Sequence, residues 1–321
     1  MSDKSVPASK SVVLIMGPTG AGKTDLALHL AARWPVDIIS VDSAMVYRGM
    51  NIGTGKPEPD VLRQFPHQLV DILDPSESYS AGQFVRDARA AIARSHASGR
   101  IPLLVGGTML YFRALRHGLA ELPEANAAVR AAIDAEAVSR GWPALHADLG
   151  EIDPASAARI QPNDGQRIQR ALEVFRVSGR TLTDHHASTA VPEPDLRFIP
   201  YAWVPGDRDR LYAAIARRFE SMMKAGLLEE VGTLYRRGDL HSRLPSIRSV
   251  GYRQLWEHLD GQTTLEQATT NAIVATRHLA RRQLVWLRAD KESIWLDALE
   301  SSAGATIECE IESISNSRRR D

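Results

Sequence analysis

An α/β fold is predicted, built on a parallel sheet flanked by helices and interrupted by an all-helical insertion. Short apolar runs alternate with segments of helical period through residues 11–119. Alternation of that kind builds a parallel sheet covered on both faces. The first apolar run leads into Gly17–Thr24, GPTGAGKT, which fits G-x-x-x-x-G-K-[ST] and places the sheet in the P-loop NTPase-like class. Between residues 119 and 194 the strand signal vanishes, and it returns afterwards.

Ser11–Met16 is a buried strand. Lys23–Trp34 is helical, with Leu26, Ala27 and Leu30 on one side and Pro35 as its stop. Val36–Val41 is a second strand and His67–Leu73 a weaker third. Ser80–Ser98 is an Ala-rich helix with Ser80 and Gln83 spaced as a capping box and Gly99 as its end. Ile101–Val105 is a fourth strand closed by Gly106-Gly107, and Thr108–Arg116 is helical. In the insertion, Ala125–Arg140 is helical, and Asn163-Asp164 caps a helix running to Ser178 before Gly179. His185–Asp195 reads as the exit hinge. Arg197–Val204 returns to strand, followed by helices over Arg208–Ala225, Leu227–Arg237 and Thr264–Trp286 and a short strand at Ser293–Leu296. The expected divisions are thus residues 11–118, a first part of the core; 119–194, the insertion; 195–298, the second part of the core; and 299–321, a flexible tail.

Bulk properties narrow the function. Apolar content of 44% and charged content of 24% are ordinary for a globular chain. Lys+Arg and Asp+Glu both total 39, so a wholly basic nucleic-acid coat is excluded, though a local basic groove is not. A single cysteine, Cys309, excludes an intramolecular disulfide and any multi-cysteine zinc site, and suits a reducing cytoplasm. The polar first ten residues and the short apolar run after them hold neither a signal sequence nor a membrane span.

The P-loop residues Gly17, Pro18, Thr19, Gly20, Ala21, Gly22, Lys23 and Thr24 are the strongest signal. Glycine-rich backbone turns amides toward an anion, Lys23 neutralises phosphate oxygens, and Thr24 offers its hydroxyl to Mg²⁺. The motif says phosphate without saying whose. Asp42 follows the second strand, and carboxyl ends of strands face the ligand crevice in such sheets. There Asp42 suits a general base or an outer magnesium ligand, and equally an Asp42-Ser43 cap on the next turn. A nucleotide hydrolase carries a second acid after another apolar strand. Ile101–Val105 is followed by Gly106-Gly107-Thr108 instead, which fits a transferase whose leaving group is diphosphate.

Basic segments point to RNA. Asp164–Ser178 carries Gln166, Arg167, Gln169 and Arg170 in its first turns; Leu244–Trp256 sets Arg248 and Arg253 beside Tyr252 and Trp256; Thr276–Arg288 carries Arg277, Arg281 and Arg288. Arginine with aromatics suits a groove where bases stack and phosphates pair, while each helix taken alone equally suits a solvated face. Arg217-Arg218 is ambiguous between the anion and surface charge. His185-His186 lacks metal-ligand spacing. An ATP-dependent small-molecule kinase using Asp42, and a nucleotide-switched RNA-binding protein, are the other readings these residues allow.

Taken together, GPTGAGKT, VDSAMVYRGMNIGTGKP, SGRIPLLVGGTMLYF, PNDGQRIQRALEV and LPSIRSVGYRQLW closely resemble, in order across residues 11–298, the bacterial tRNA dimethylallyltransferases. That resemblance implies transfer of a dimethylallyl group from dimethylallyl diphosphate to the exocyclic N6 amine of the adenosine immediately 3′ of the anticodon, in tRNAs reading codons that begin with U. It implies that the P-loop holds an isoprenoid diphosphate rather than a nucleotide. It implies Asp42 as the base, with Thr24 and Mg²⁺, Lys23 and Arg218 supporting the leaving group. It implies tRNA contacts from Asp42, Ser43, Ala44, Met45, Thr108 and Arg130, from Gln166, Arg167, Ile168, Gln169 and Arg170, and from Ile247, Arg248, Ser249, Val250, Gly251 and Tyr252. The insertion becomes a swinging domain on the anticodon stem-loop, in a cytoplasmic monomer needing no obligate protein partner. Departures from the family pattern are Gly20-Ala21 for Ala-Ser, Asn51 for Asp and Gly55 for Ala.

Overall fold

The computed structural model describes residues 10–188 and 196–318. The elements run β1 (Ser11–Met16), α1 (Lys23–Arg33), β2 (Val36–Val41), α2 (Pro59–Gln64), β3 (His67–Gln68), α3 (Ala81–Ala97), β4 (Ile101–Gly106) and α4 (Met109–His117). They continue as α5 (Ala127–Arg140), α6 (Trp142–Ile152), α7 (Pro154–Ala157), α8 (Gly165–Ser178) and α9 (Leu182–Ala187). The chain then forms β5 (Arg197–Val204), α10 (Arg208–Lys224), α11 (Leu227–Tyr235), α12 (Tyr252–Leu259), α13 (Leu265–Ala289), β6 (Ile294–Asp297) and α14 (Ala303–Arg318).

The strands make one six-stranded sheet in the order β3-β2-β4-β1-β5-β6, every pairing parallel. Parallel strands buried on both faces read as unbroken apolar runs, and β1 is buried at every residue. Val12, Leu14 and Met16 face one layer with Phe84, Ile92 and Phe112. Val13 and Ile15 face the other with Leu26, Leu30, Trp203 and Ile307. The chain divides into two compact units, Met1–Arg116 with Glu193–Asp321, and His117–Pro192. The second has its own apolar core of Ile133, Leu145, Leu149, Ile168 and Leu172.

Several expectations need correction. The third strand is only two residues long, because Leu69 and Asp71 adopt left-handed φ of 64° and 56° and end the ladder. Leu182–Ala187 is helical, capped by Thr181, where the start of a hinge was expected; residues 189–195 of that segment lie outside the described residues. The expected flexible tail is mostly α14, whose Ile307, Ile311 and Ile314 recur at helical spacing and are buried against the sheet. Residues 319–321 lie outside the described residues. Among the described residues no helix is long and apolar enough to cross a membrane.

Candidate active site

The sheet register assembles the site. Met16 and Val41 both pair with Gly106, so β1, β4 and β2 end level with one another. Gly17 and Asp42 therefore start their loops on either side of Gly107, two strand spacings apart, or roughly 10 Å. The cleft beyond these ends is lined by Lys23, Thr24, Asp42, Thr54, Gly107 and Arg218. Asp42 is the one acid among its lining residues.

The P-loop turns into α1 at Gly22, which takes a left-handed φ of 77°. The first amides of α1 belong to the set that no intrahelical carbonyl satisfies, so they suit an anion. Lys23 Nζ donates to the Pro18 carbonyl at 2.7 Å and stays with the loop. Burial pushes the Lys23 ammonium down to about 7; the Arg218 charge pushes the same way and Asp42 opposes them. Trp203 Nε1 braces the loop from β5 by donating to the Ala21 carbonyl at 2.9 Å.

Asp42 is engaged through one carboxylate oxygen. Its Oδ1 accepts from the amides of Ala44 (2.7 Å) and Met45 (3.1 Å), so it caps the turn after β2. Oδ2 takes no part in those bonds. The Ser43 amide donates to Thr108 Oγ1 at 3.1 Å, which ties the Asp42–Met45 segment to the turn after β4.

Arg218 reaches the cleft from α10. Burial of its guanidinium pushes its pKa down, against the pull of Asp42 and Asp25. A Cβ at Gly55 would fall 1.7 Å from Arg218 Nη2, and Gly55 has a φ of 68°. The glycine that departs from the family pattern thus stands where the guanidinium packs. By accessible surface Arg217 and Arg218 are both exposed, so Arg218 keeps part of its side chain in solvent while its guanidinium end lines the cleft.

The loop bearing Gly55 is held by Glu230 of α11, which sequence reading missed. Its carboxylate accepts from the amides of Asn51 (2.9 Å), Ile52 (2.8 Å) and Gly53 (3.2 Å), and from the Tyr252 hydroxyl at 2.5 Å. An acid on a helix whose other residues read as core and surface gave no sequence signal. Lys56 pins the far end of the loop by donating to Asp71 Oδ1 and to the Tyr47 carbonyl, both at 2.5 Å.

The expected tRNA contacts separate. Asp42–Met45 and Thr108 meet at the cleft, as just described. Ile247 and Tyr252 are fully buried, so those side chains serve the core, whereas Arg248 is exposed and Ser249 and Val250 are half-buried. Gly251 is buried as well. In the second unit Ile168 is likewise buried, while Gln166 and Arg167 are exposed. Arg130 and Arg170 converge on the buried Glu173, donating at 2.8 Å and 2.7 Å. Burial pushes Glu173 up, but these arginines and the Asn126 amide outweigh it and hold it below the usual carboxylate range. Gln169 donates to Asp134 at 2.6 Å.

A magnesium ion has a suitable place. Among the described residues no three His, Cys, Asp or Glu side chains cluster as a protein-built metal cage. Mg²⁺ needs no such cage, since it keeps several waters and binds phosphate oxygens with one or two protein oxygens. The Thr24 hydroxyl in the cleft suits that donor set.

The family model for IPP transferase matches residues 45–290, and that for isopentenyl transferase matches residues 10–70. The tRNA dimethylallyltransferase of Thioalkalivibrio sulfidiphilus is 56% identical over 283 residues, covering 88% of each chain. The tRNA isopentenylpyrophosphate transferase of Bacillus halodurans superposes with a TM-score of 0.69 at 36% identity, over 96% of this chain and 98% of that one. A eukaryotic dimethylallyltransferase solved acting on tRNA has a TM-score of 0.78 at 24% identity, over 96% of this chain and 80% of that one, and there the likeness is one of fold.

Proposed function

The chain belongs to the IPP transferase family, and from that premise we propose that it transfers a dimethylallyl group from dimethylallyl diphosphate to tRNA. The acceptor in this reading is the N6 amine of the adenosine immediately 3′ of the anticodon, in tRNAs that read codons beginning with U. The products are N6-isopentenyladenosine and diphosphate, and the reaction belongs in the cytoplasm. The observation that carries the reading is the level ending of β1, β4 and β2, which sets a phosphate loop and a lone carboxylate on opposite sides of one glycine turn.

The chemistry follows from that placement. The carbon–oxygen bond between the allyl group and diphosphate breaks as the N6–carbon bond forms. The adenine amine is a weak nucleophile because its lone pair is delocalised into the ring, so removing its proton as it attacks lowers the barrier. In this reading Asp42 Oδ2 takes that proton, which is supported by Oδ1 alone being engaged by backbone amides that hold the carboxylate still. The leaving diphosphate stays in the P-loop, where Lys23 and Arg218 offset the charge that builds on it. Mg²⁺, held by Thr24 and the diphosphate, would add further neutralisation of the leaving group. The target base must leave its stack to enter such a cleft. Arg130, Gln166, Arg167, Gln169 and Arg170 of the helical unit, and Arg248, Ser249 and Val250 of the core, are the proposed grip on the anticodon stem-loop.

The test is label transfer from dimethylallyl diphosphate with Mg²⁺, unmodified tRNA and no ATP. Wild type is expected to label the tRNA, and Asp42→Ala to lose nearly all of it. Folded wild type that leaves competent tRNA unlabelled would overturn the reading and favour a kinase, which would show instead as ATP binding.

A further inference from the structure

We infer that Gln283 is a positioning residue that fixes the diphosphate loop against the acceptor loop. It lies on α13, on a stripe with Ala268, Ala272, Ala280 and Leu287 that is otherwise apolar and buried. A buried amide needs partners, and Gln283 has one on each side of the cleft. Its Oε1 accepts from the Thr19 amide at 2.9 Å, inside the P-loop. Its Nε2 donates to the Gly107 carbonyl at 2.8 Å, in the turn after β4. From Gly107 the chain passes to Thr108, whose Oγ1 accepts from the Ser43 amide beside Asp42. One side chain thus joins the leaving-group side to the base side through a short run of hydrogen bonds.

The fit is sterically close. A Cβ at Gly107 would fall 2.3 Å from Gln283 Nε2, so a side chain there would displace the carboxamide. The bond to Oε1 also takes the Thr19 amide away from the anion. The bound diphosphate is then left to the amides farther along the loop, toward Thr24, which sets how deep it sits. Only a group that donates and accepts at once satisfies both neighbours. Glutamate keeps the acceptor, loses the donor, turns a carboxylate toward the Gly107 carbonyl, and brings negative charge beside the phosphate site. Protonation of that glutamate restores a donor. The proposal uses the transfer reaction only to name the diphosphate ester.

The experiment titrates inorganic diphosphate with Mg²⁺ into wild type, Gln283→Glu and Gly107→Ala, with thermal unfolding of each as the fold control. At pH 8 both variants are expected to weaken diphosphate binding about tenfold. At pH 5.5 the penalty in Gln283→Glu, taken as a ratio to wild type at the same pH, is expected to shrink, while that in Gly107→Ala stays. A merely structural role would lower the melting temperature without a pH-dependent penalty. Steady-state transfer is expected to show a raised KM for dimethylallyl diphosphate in both variants, with the KM for tRNA little changed. Diphosphate affinity within twofold of wild type in folded Gly107→Ala or Gln283→Glu would overturn the assignment, as would a penalty in Gln283→Glu that is the same at both pH values. Because diphosphate binding is read without turnover, a wild type inactive in label transfer would sink the proposed reaction and leave this inference to be judged by the titration.

Discussion

Lys23 carries the sharpest quantitative prediction. Burial and the Arg218 guanidinium hold its ammonium at about 7, against an ordinary value of 10.5. A diphosphate bound in the P-loop opposes both influences and draws the proton back. Binding should therefore take up a proton when the free lysine is neutral. At pH 8 a group with this pKa is roughly one-tenth protonated, so about 0.9 proton is taken up per diphosphate; at pH 6 about 0.1 is. If Lys23 stays charged in the complex, affinity falls roughly fifty-fold between pH 7 and pH 9, approaching tenfold per unit at the upper end. The same shift bears on stability without ligand. The folded chain binds fewer protons than the unfolded chain between about 7 and 10.5, so stability should rise with pH across that window. Calorimetric titration of dimethylallyl diphosphate, in buffers of different ionisation heat, measures the uptake. Lys23→Met run in parallel subtracts the protons that the ligand itself carries. An uptake near zero at pH 8 after subtraction, or an affinity flat from pH 7 to 9, would show that Lys23 is already charged in the free protein and refute the argument.

Further outcomes follow from the same geometry. Asp42→Asn keeps an acceptor for the Ala44 and Met45 amides but removes the base, so kcat should fall about 10²–10⁴-fold with diphosphate affinity and melting temperature little changed. Asp42→Ala should lose about 1 kcal/mol of stability as well, from the missing cap, read by denaturant unfolding. Glu230→Ala strands the amides of Asn51, Ile52 and Gly53 and should cost about 2–3 kcal/mol, with Tyr252→Phe costing about 1 kcal/mol; unfolding curves that do not move would refute the latch. Removing residues 303–321 uncovers Ile307, Ile311 and Ile314 and should cost roughly 5 kcal/mol or more, leaving little soluble protein; a truncated chain with the wild-type melting temperature would refute the packing of α14.

What the sequence disclosed, and what it hid, depends on where the signal is stored. The P-loop, the strand ends and the place of Asp42 in the cleft were legible because backbone requirements are written locally: glycine where amides must turn, an unbroken apolar run for a strand buried on both faces, and an acid one residue past its end. The family resemblance came from the same short stretches. The tail misled because Ile307, Ile311 and Ile314 are β-branched and stand among acids and serines, so the helical stripe was easy to pass over, and Arg318-Arg319-Arg320 suggested solvent. Tyr252 misled in the opposite sense. Beside Arg248 and Arg253 it looked like a platform for a base, yet its ring is buried and its hydroxyl is committed to Glu230. An aromatic next to arginine has the same local signature in an RNA groove and in a core whose rim is basic; only long-range pairing separates the two. Glu230 and Gln283 were hidden for that reason as well. Each is a polar residue on a helix, and each acts on backbone that is far away in sequence, at Asn51–Gly53 and at Thr19 and Gly107. A clue did exist for Gln283: it interrupts a buried stripe of alanine and leucine, where a polar side chain is costly unless it is satisfied on both ends. Such an interruption shows that something is being held and leaves open what it holds. Here the fold supplies the answer, since α13 carries Gln283 to the ends of β1 and β4, where it bonds the Thr19 amide and the Gly107 carbonyl.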